Sequence, residues 1–351
     1  MSEDNSNPQD QQEGSNPQPN LAIEYSPMVN TQRAPRQPSN LQDLLRYAVE
    51  VGSRGQDGAQ GDVVALNENN RGFLMNALNS MMVNVTEELA TIIKTLKENT
   101  GQKESCIEAL DNLSDYVCTI DYANDFVRMG GLTALQLLLE GNDDELQWRA
   151  AETIADIVQN NPFSQNFIIQ TDFLSLLLAL IKHSHNTTVQ VKCLYAVSCL
   201  VRENKECLAE FIKKDGFSVL LHCIQSKQEK LMIKSCFLIS CLSSNNNEVR
   251  SILHSMGIVE QMCMLIDIDD AFDTEINEHL LSALCSLIHE SPNAQALCQQ
   301  EPLNLMLKLN YIKEKHAGDE VYHKEIEYAN LILKQVFDTD TVEVDEEYQD
   351  R

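Results

Sequence analysis

The chain has 351 residues, enough for two ordinary domains, and its 53 Asp and Glu against 26 Lys and Arg give a net charge of −27. Such an excess of acid repels phosphate backbones and anionic bilayers, which excludes nucleic acid and membrane surfaces as main partners. No apolar run is long enough to span a bilayer, and the eleven cysteines follow no zinc-site or disulfide-framework spacing.

From Met1 to Asn40 the composition is Asn, Gln, Pro, Ser and acid, too poor in apolar groups to form a core, so a disordered tail is expected over 1–40. A short apolar patch, Leu21 to Val29, interrupts it. N-terminal capping helices are expected over 41–100, around a Gly- and Asn-rich loop at 53–72. Ser39 or Asn40 can cap the first, Leu41, Leu44, Leu45, Ala48 and Val49 follow at helical spacing, and Gly52 ends it. Helix resumes at Phe73 and again at Thr86, where Glu88 follows closely.

Repeats are expected over 101–315. Leu146, Val189, Leu231 and Ile276 open matching apolar-periodic runs spaced 42 to 45 residues apart. Within each unit a short helical segment ends at a turn (RMGG, IQTD, KKDG, HSMG and, more weakly, QQEP), an apolar helix follows, and a longer helix closes the unit. Three unequal helices at this period is the armadillo plan, in which no unit buries its apolar face alone and stacked neighbours share a core. The expected fold is therefore all-α: an armadillo-like right-handed superhelical solenoid of about four to five three-helix repeats, capped by helices at both ends. A C-terminal capping helix is expected over 323–338, with Ile326, Ala329, Leu331, Leu333 and Val336 to bury, and an acidic disordered tail over 339–351.

Most cysteines (Cys193, Cys199, Cys223, Cys236, Cys241, Cys263, Cys285) fall in apolar helical stretches, where a free thiol behaves as a small hydrophobe. With an odd cysteine count and a polar start that lacks an apolar signal segment, a reducing, cytoplasmic setting is expected. The triplets opened by Asn84, Asn112 and Asn186 then have no route to glycosylation.

In an armadillo stack the closing helices line up and form the concave surface. Set in one register, they place Asp111, Glu152, Tyr195, Phe237 and Ser282 in one stripe, and Asp115, Asp156, Cys199, Cys241 and Ser286 four residues on. Importin-type armadillo proteins carry Trp and Asn at these two places to hold extended basic peptides; that ladder is absent. Arg149, Lys192, Lys234 and His279 lie one turn earlier on nearly the same face, and Arg202 one turn beyond Cys199. The candidate partner-binding residues are thus Asp111, Asp115, Arg149, Glu152, Asp156, Lys192, Tyr195, Arg202, Lys234 and Phe237. They suit a folded partner with a mixed acidic and apolar patch, with Tyr195 and Phe237 as anchors. The carboxylate pairs Asp111 with Asp115 and Glu152 with Asp156 cost roughly 0.2–0.5 kcal/mol each on a helix, which a binding role would explain.

Nothing points to covalent chemistry. No phosphate-cradling loop, nucleophile elbow or HExxH motif occurs, and His183 and His185 sit in a polar connector typical of surface loops. No catalytic residue, metal or cofactor is expected, and the chain does not read as an enzyme.

The strings LQWRAAETIADIVQNNP, VQVKCLYAVSCLVRENKE, DGFSVLLHCIQ, KLMIKSCFLISCL, SMGIVEQ and HLLSALCSLI resemble the heat-shock-protein-70-binding protein family, the cytosolic armadillo-type nucleotide exchange factors. RQPSNLQDLLRYAVEVGS upstream and KEIEYANLILKQVF downstream are similar to that family's caps, so the resemblance runs from Arg36 to Phe337. It implies that the concave face embraces the nucleotide-binding domain of the cytosolic 70-kDa heat-shock chaperone and opens its cleft so that ADP leaves. It further implies that the flexible N-terminal region, here Leu21 to Val29, competes for the chaperone's substrate-binding domain. A monomer is expected, because a capped solenoid needs no second subunit. The second reading of the same solenoid is an armadillo scaffold or adaptor that holds another protein or an extended peptide.

Overall fold

Asparagine marks where the short helices begin. Asn161, Asn204 and Asn246 each accept a backbone N–H with the side-chain oxygen, from Ser164, Cys207 and Val249 three residues on, and each stands directly before a helix at the same point of the repeat. Such a cap satisfies one of the donors a helix start leaves open and contributes about 1 kcal/mol. Asn161 and Asn204 are buried, and their amide nitrogens reach the preceding unit: Asn124 Oδ1 at 3.0 Å and Gln165 Oε1 at 2.9 Å.

The computed structural model describes residues 84–98, 100–266, 268 and 274–337. The tail over 1–40 with its Leu21 patch, the helices expected from Leu41 and Phe73, the loop at 53–72 and the acidic segment 339–351 lie outside the described residues. The described residues form seventeen α-helices, two short 3-10 turns and no strand. Two helices come first, α1 (Val85–Glu98) and α2 (Lys103–Val117). Five triplets follow: α3 (Ile120–Arg128), α4 (Gly131–Glu140), α5 (Asp144–Val158); α6 (Pro162–Ile168), α7 (Phe173–His183), α8 (Thr187–Val201); α9 (Lys205–Lys213), α10 (Gly216–Gln225), α11 (Glu229–Ser243). The last two are α12 (Asn247–Ser255), α13 (Ile258–Leu265), α14 (Thr274–Ile288) and α15 (Pro292–Cys298), α16 (Leu305–Lys315), α17 (His323–Phe337).

The closing helices α2, α5, α8, α11, α14 and α17 are each 15 residues long and pack side by side in that order. They hold one register. Their eleventh residues are Leu113, Ile154, Val197, Ile239, Leu284 and Leu333, all buried, and small residues (Ala109, Ala150, Cys193, Ser235, Ala329) occupy the seventh place in five of the six. Small side chains there let neighbouring helices approach, while the branched residues fill the space between rows. The fold is thus the armadillo-like solenoid that the repeat period implied.

Between the first and second helix of a unit the chain turns through the left-handed region at Gly130 (φ +77°), Asp215 (φ +57°) and Gly257 (φ +72°). After Gly130 and Asp215 the next residue is a glycine packed on an aromatic ring of the first helix. A Cβ on Gly131 would lie 2.4 Å from Phe126, and one on Gly216 would lie 2.3 Å from Phe211. Both rings are fully buried and have nowhere to go.

Gly216→Ala therefore sets two effects against each other. Alanine favours helix by about 1 kcal/mol, and overpacking a rigid core costs about 1–3 kcal/mol. We expect net destabilisation in chemical denaturation, and a smaller loss when Phe211→Leu vacates the space in the same chain.

Candidate functional site

Counted from the start of each closing helix, the ninth residues of the first five are Asp111, Glu152, Tyr195, Phe237 and Ser282. The sixth residues of α5, α8, α11 and α14 are Arg149, Lys192, Lys234 and His279. In the stack, the sixth residue of one helix reaches the ninth residue of the helix before it. Arg149 Nη1 lies 2.7 Å from Asp111 Oδ1, and Lys192 Nζ lies 2.5 Å from Glu152 Oε1. At the next boundary the acceptor is a ring: Lys234 Nζ stands 5.2 Å from the Tyr195 centroid. A fourth contact comes from Arg202, directly after α8, whose guanidinium stands 5.5 Å from the Phe237 ring on α11. Two ion pairs thus give way to two cation–ring contacts along the row.

Trp148 joins the first two contacts. The Arg149 guanidinium is 4.8 Å from its ring and Lys192 Nζ is 5.8 Å from it, so one half-buried indole sits under both cations. Arg149 Nε also donates to Glu145 Oε1 at 3.3 Å, and the Tyr195 hydroxyl donates to Gln159 Oε1 at 3.4 Å. Asp115 is exposed and Asp156 half-buried, one turn beyond Asp111 and Glu152. At the far end hydroxyls replace charges, with Ser240 and Ser286 joined at 2.8 Å across α11 and α14.

Of the ten residues expected at the site, the structure brings eight into these four contacts. Reading the stripes one helix at a time missed that the cations of one repeat meet the carboxylates and rings of the repeat before. It also missed Trp148, the chain's single tryptophan, whose place beside Arg149 was the available signal.

Burial, then the charges of Lys192 and Lys230, push the Lys234 ammonium below the ordinary lysine range. Burial raises the thiols of Cys193 and Cys236 to about 12, so both are neutral small hydrophobes. Cys241, expected both among the small hydrophobes and on the face stripe, is exposed on α11, whereas Cys199 and Ser282, expected on the stripes, are buried. His183 and His185 are exposed, and among the described residues no group of three or more His, Cys, Asp or Glu is placed to hold a metal ion.

Comparison with known proteins places this chain in a family. The model described as the SIL1/FES1/HPBP1 C-terminal domain matches residues 122–242, and the one described as nucleotide exchange factor Fes1 matches residues 41–126. "Hsp70-binding protein 1" of Homo sapiens is 32% identical over 316 residues, which cover 86% of this chain and 86% of that protein. The Mus musculus protein of the same name is 32% identical over 321 residues, 88% of each chain. The chain belongs to the SIL1/FES1/HPBP1 family. Both family matches together take in Asp111 through Phe237, the whole set of charged and aromatic contacts. Among solved structures, a computationally designed armadillo repeat protein for modular peptide recognition is similar in fold, with a TM-score of 0.58 and 20% identity over 70% of this chain and 99% of that one.

The ion pair between Glu152 and Lys192 spans two repeats, with side chains 40% and 30% exposed. A double-mutant cycle with Glu152→Gln and Lys192→Met should return a coupling of roughly 0.3–1 kcal/mol, the range for partly solvated pairs. His279 provides a pH test. Burial, the largest effect, and Lys324 lower its pKa from 6.5, against the opposing pull of Glu278 and Glu275. The unfolded chain therefore takes up this proton first, so the histidine's contribution is complete above 6.5 and is lost as pH falls through its depressed folded value. His279→Gln should flatten the acid side of the stability profile measured by denaturation between pH 7 and pH 5, about the window in which a lowered histidine titrates.

Proposed function

We propose that this chain is a co-chaperone, a nucleotide exchange factor that binds the nucleotide-binding domain of the 70-kDa heat-shock chaperone through the concave face of the closing helices and accelerates ADP release. Family membership over nearly the whole described chain carries this reading. The contacting groups are Tyr195 and Phe237 as anchors, Lys234 and Arg202 beside them, and the carboxylates of Asp111, Asp115, Glu152 and Asp156 toward the N-terminal end. Arg149 and Lys192 hold two of those carboxylates in place.

No covalent step is needed. The chaperone's nucleotide cleft exchanges between a closed state that retains ADP and an open one that does not. A rigid solenoid face that fits the open state better shifts the population toward it, and ADP weakens the complex by the same factor with which the complex weakens ADP. A preference of about 100-fold for the open state is about 2.8 kcal/mol, which one or two well-buried aromatic anchors can supply. ATP then enters and the client is released.

The eleven cysteines, all among the described residues, form no disulfide, which accords with a reducing compartment, and we place the protein in the cytoplasm as a monomer. Leu21 to Val29 is the segment we assign to the chaperone's substrate-binding domain.

The test is stopped-flow release of a fluorescent ADP analogue from a purified cytosolic 70-kDa chaperone in excess unlabelled ATP. Release should accelerate in proportion to added protein, and Tyr195→Ala with Phe237→Ala should cut the acceleration by about 10-fold or more with helical content retained. Binding without any change in release would make the protein an adaptor instead.

A further inference from the structure

The four contacts along the closing helices are not electrically equivalent. In the first two a cation meets a carboxylate and the charges cancel: Arg149 with Asp111, and Lys192 with Glu152. In the other two the cation rests on a ring, which accepts it without neutralising it: Lys234 on Tyr195, and Arg202 on Phe237. Among the described residues neither Lys234 nor Arg202 forms an ion pair; Arg202 Nε donates to the Ser198 carbonyl at 3.3 Å, and its guanidinium also meets the thiols of Cys199 and Cys241. The buried Cys199 lies within range of both cations and of the Asp156 carboxylate, and Cys241 within range of Arg202 and Glu203. Lys230 adds a further exposed cation on α11. In a chain of net charge −27 these cations rest on an aromatic floor, and among the described residues no carboxylate is ion-paired to either of the two on the rings.

We infer that Lys234 and Arg202, floored by Tyr195 and Phe237, form the receptor for carboxylate side chains on the surface of the folded partner, whereas Arg149 and Lys192 are internal ties between repeats. A half-buried cation that has given up part of its hydration without gaining a counter-ion gains most when a partner supplies one. The acid elsewhere on the chain repels the same carboxylates, so a partner's acidic patch can dock here and in few other orientations. The inference rests on the exchange-factor reading and names the chemistry that its contact surface requires.

The experiment uses the full chain and the purified chaperone, with ADP release and complex Kd each measured at low and high salt. Lys234→Met and Arg202→Met keep the apolar stem over the ring and remove the charge. Each should weaken binding about 10-fold or more at low salt and flatten its salt dependence. Lys234→Arg should retain most of the affinity. Arg149→Met and Lys192→Met, which break existing pairs, should weaken binding by roughly threefold at most, within the range of partly exposed ion pairs. Lys213→Met, on α9 and paired with Glu210, serves as the control away from the row. Equal or larger losses from Arg149→Met and Lys192→Met would overturn the inference, as would wild-type behaviour of Lys234→Met and Arg202→Met while the parent protein accelerates release. A parent protein that leaves release unchanged overturns the exchange-factor reading, and this inference with it.

Discussion

A closing helix of this solenoid has apolar side chains on more than one side, so it cannot stand at a water boundary on either flank and must lie between two others. The eleventh residue of each such helix is buried from Leu113 to Leu333, and the small seventh residues permit close approach. That shared burial fixes which helix lies beside which. It also fixes the register, because a helix displaced by one turn would bring a branched residue to a place shaped for alanine. Everything on the exposed face follows from this alignment, since side chains at matching places then stand opposite one another across each boundary.

The alignment changes how the charges on the face are understood. Asp111 with Asp115, and Glu152 with Asp156, are like-charged pairs on single helices, costing some tenths of a kcal/mol, roughly 0.2–0.5 each. Arg149 and Lys192 from the following repeats lie against Asp111 and Glu152, so neighbouring repeats offset the cost without any partner. The carboxylate pairs by themselves are therefore weaker signs of binding than they look within one helix. Farther along the row the cations rest on rings in place of carboxylates, and the fold holds Lys234 below its ordinary pKa. Groups kept in a state the fold alone disfavours are the ones most reasonably assigned to an external partner.

The same arrangement suits a protein that works by shape. An exchange factor must present a surface that fits one conformation of its partner better than another, and must not itself relax to fit both. Buried asparagine caps that reach into the preceding unit, and glycines pressed against buried rings, tie each repeat to the next or to itself. Stacking of closing helices along the row makes the face a continuous support and not a set of separately mobile loops.

The period of 42 to 45 residues, the turn strings and the apolar runs were legible in the chain, because burial at helical spacing is written into residue order. So were the two stripes, since residues three or four apart on one helix are neighbours wherever that helix goes, although Cys199 and Ser282 on them are buried. The family resemblance was legible for the same reason, in strings such as CLYAVSCLVRE. What order alone left undecided was everything between helices: that Arg149 meets Asp111, that Trp148 lies under two cations, that Tyr195 and Phe237 are occupied by Lys234 and Arg202. Cys199 belongs with these, on the face stripe by its spacing in sequence and buried in the stack. Such contacts join residues about 40 apart, and the angle and offset at which one helix lies against the next decide them. Periodicity fixes which side of each helix is buried; only the packed neighbour decides what stands opposite the side that is not.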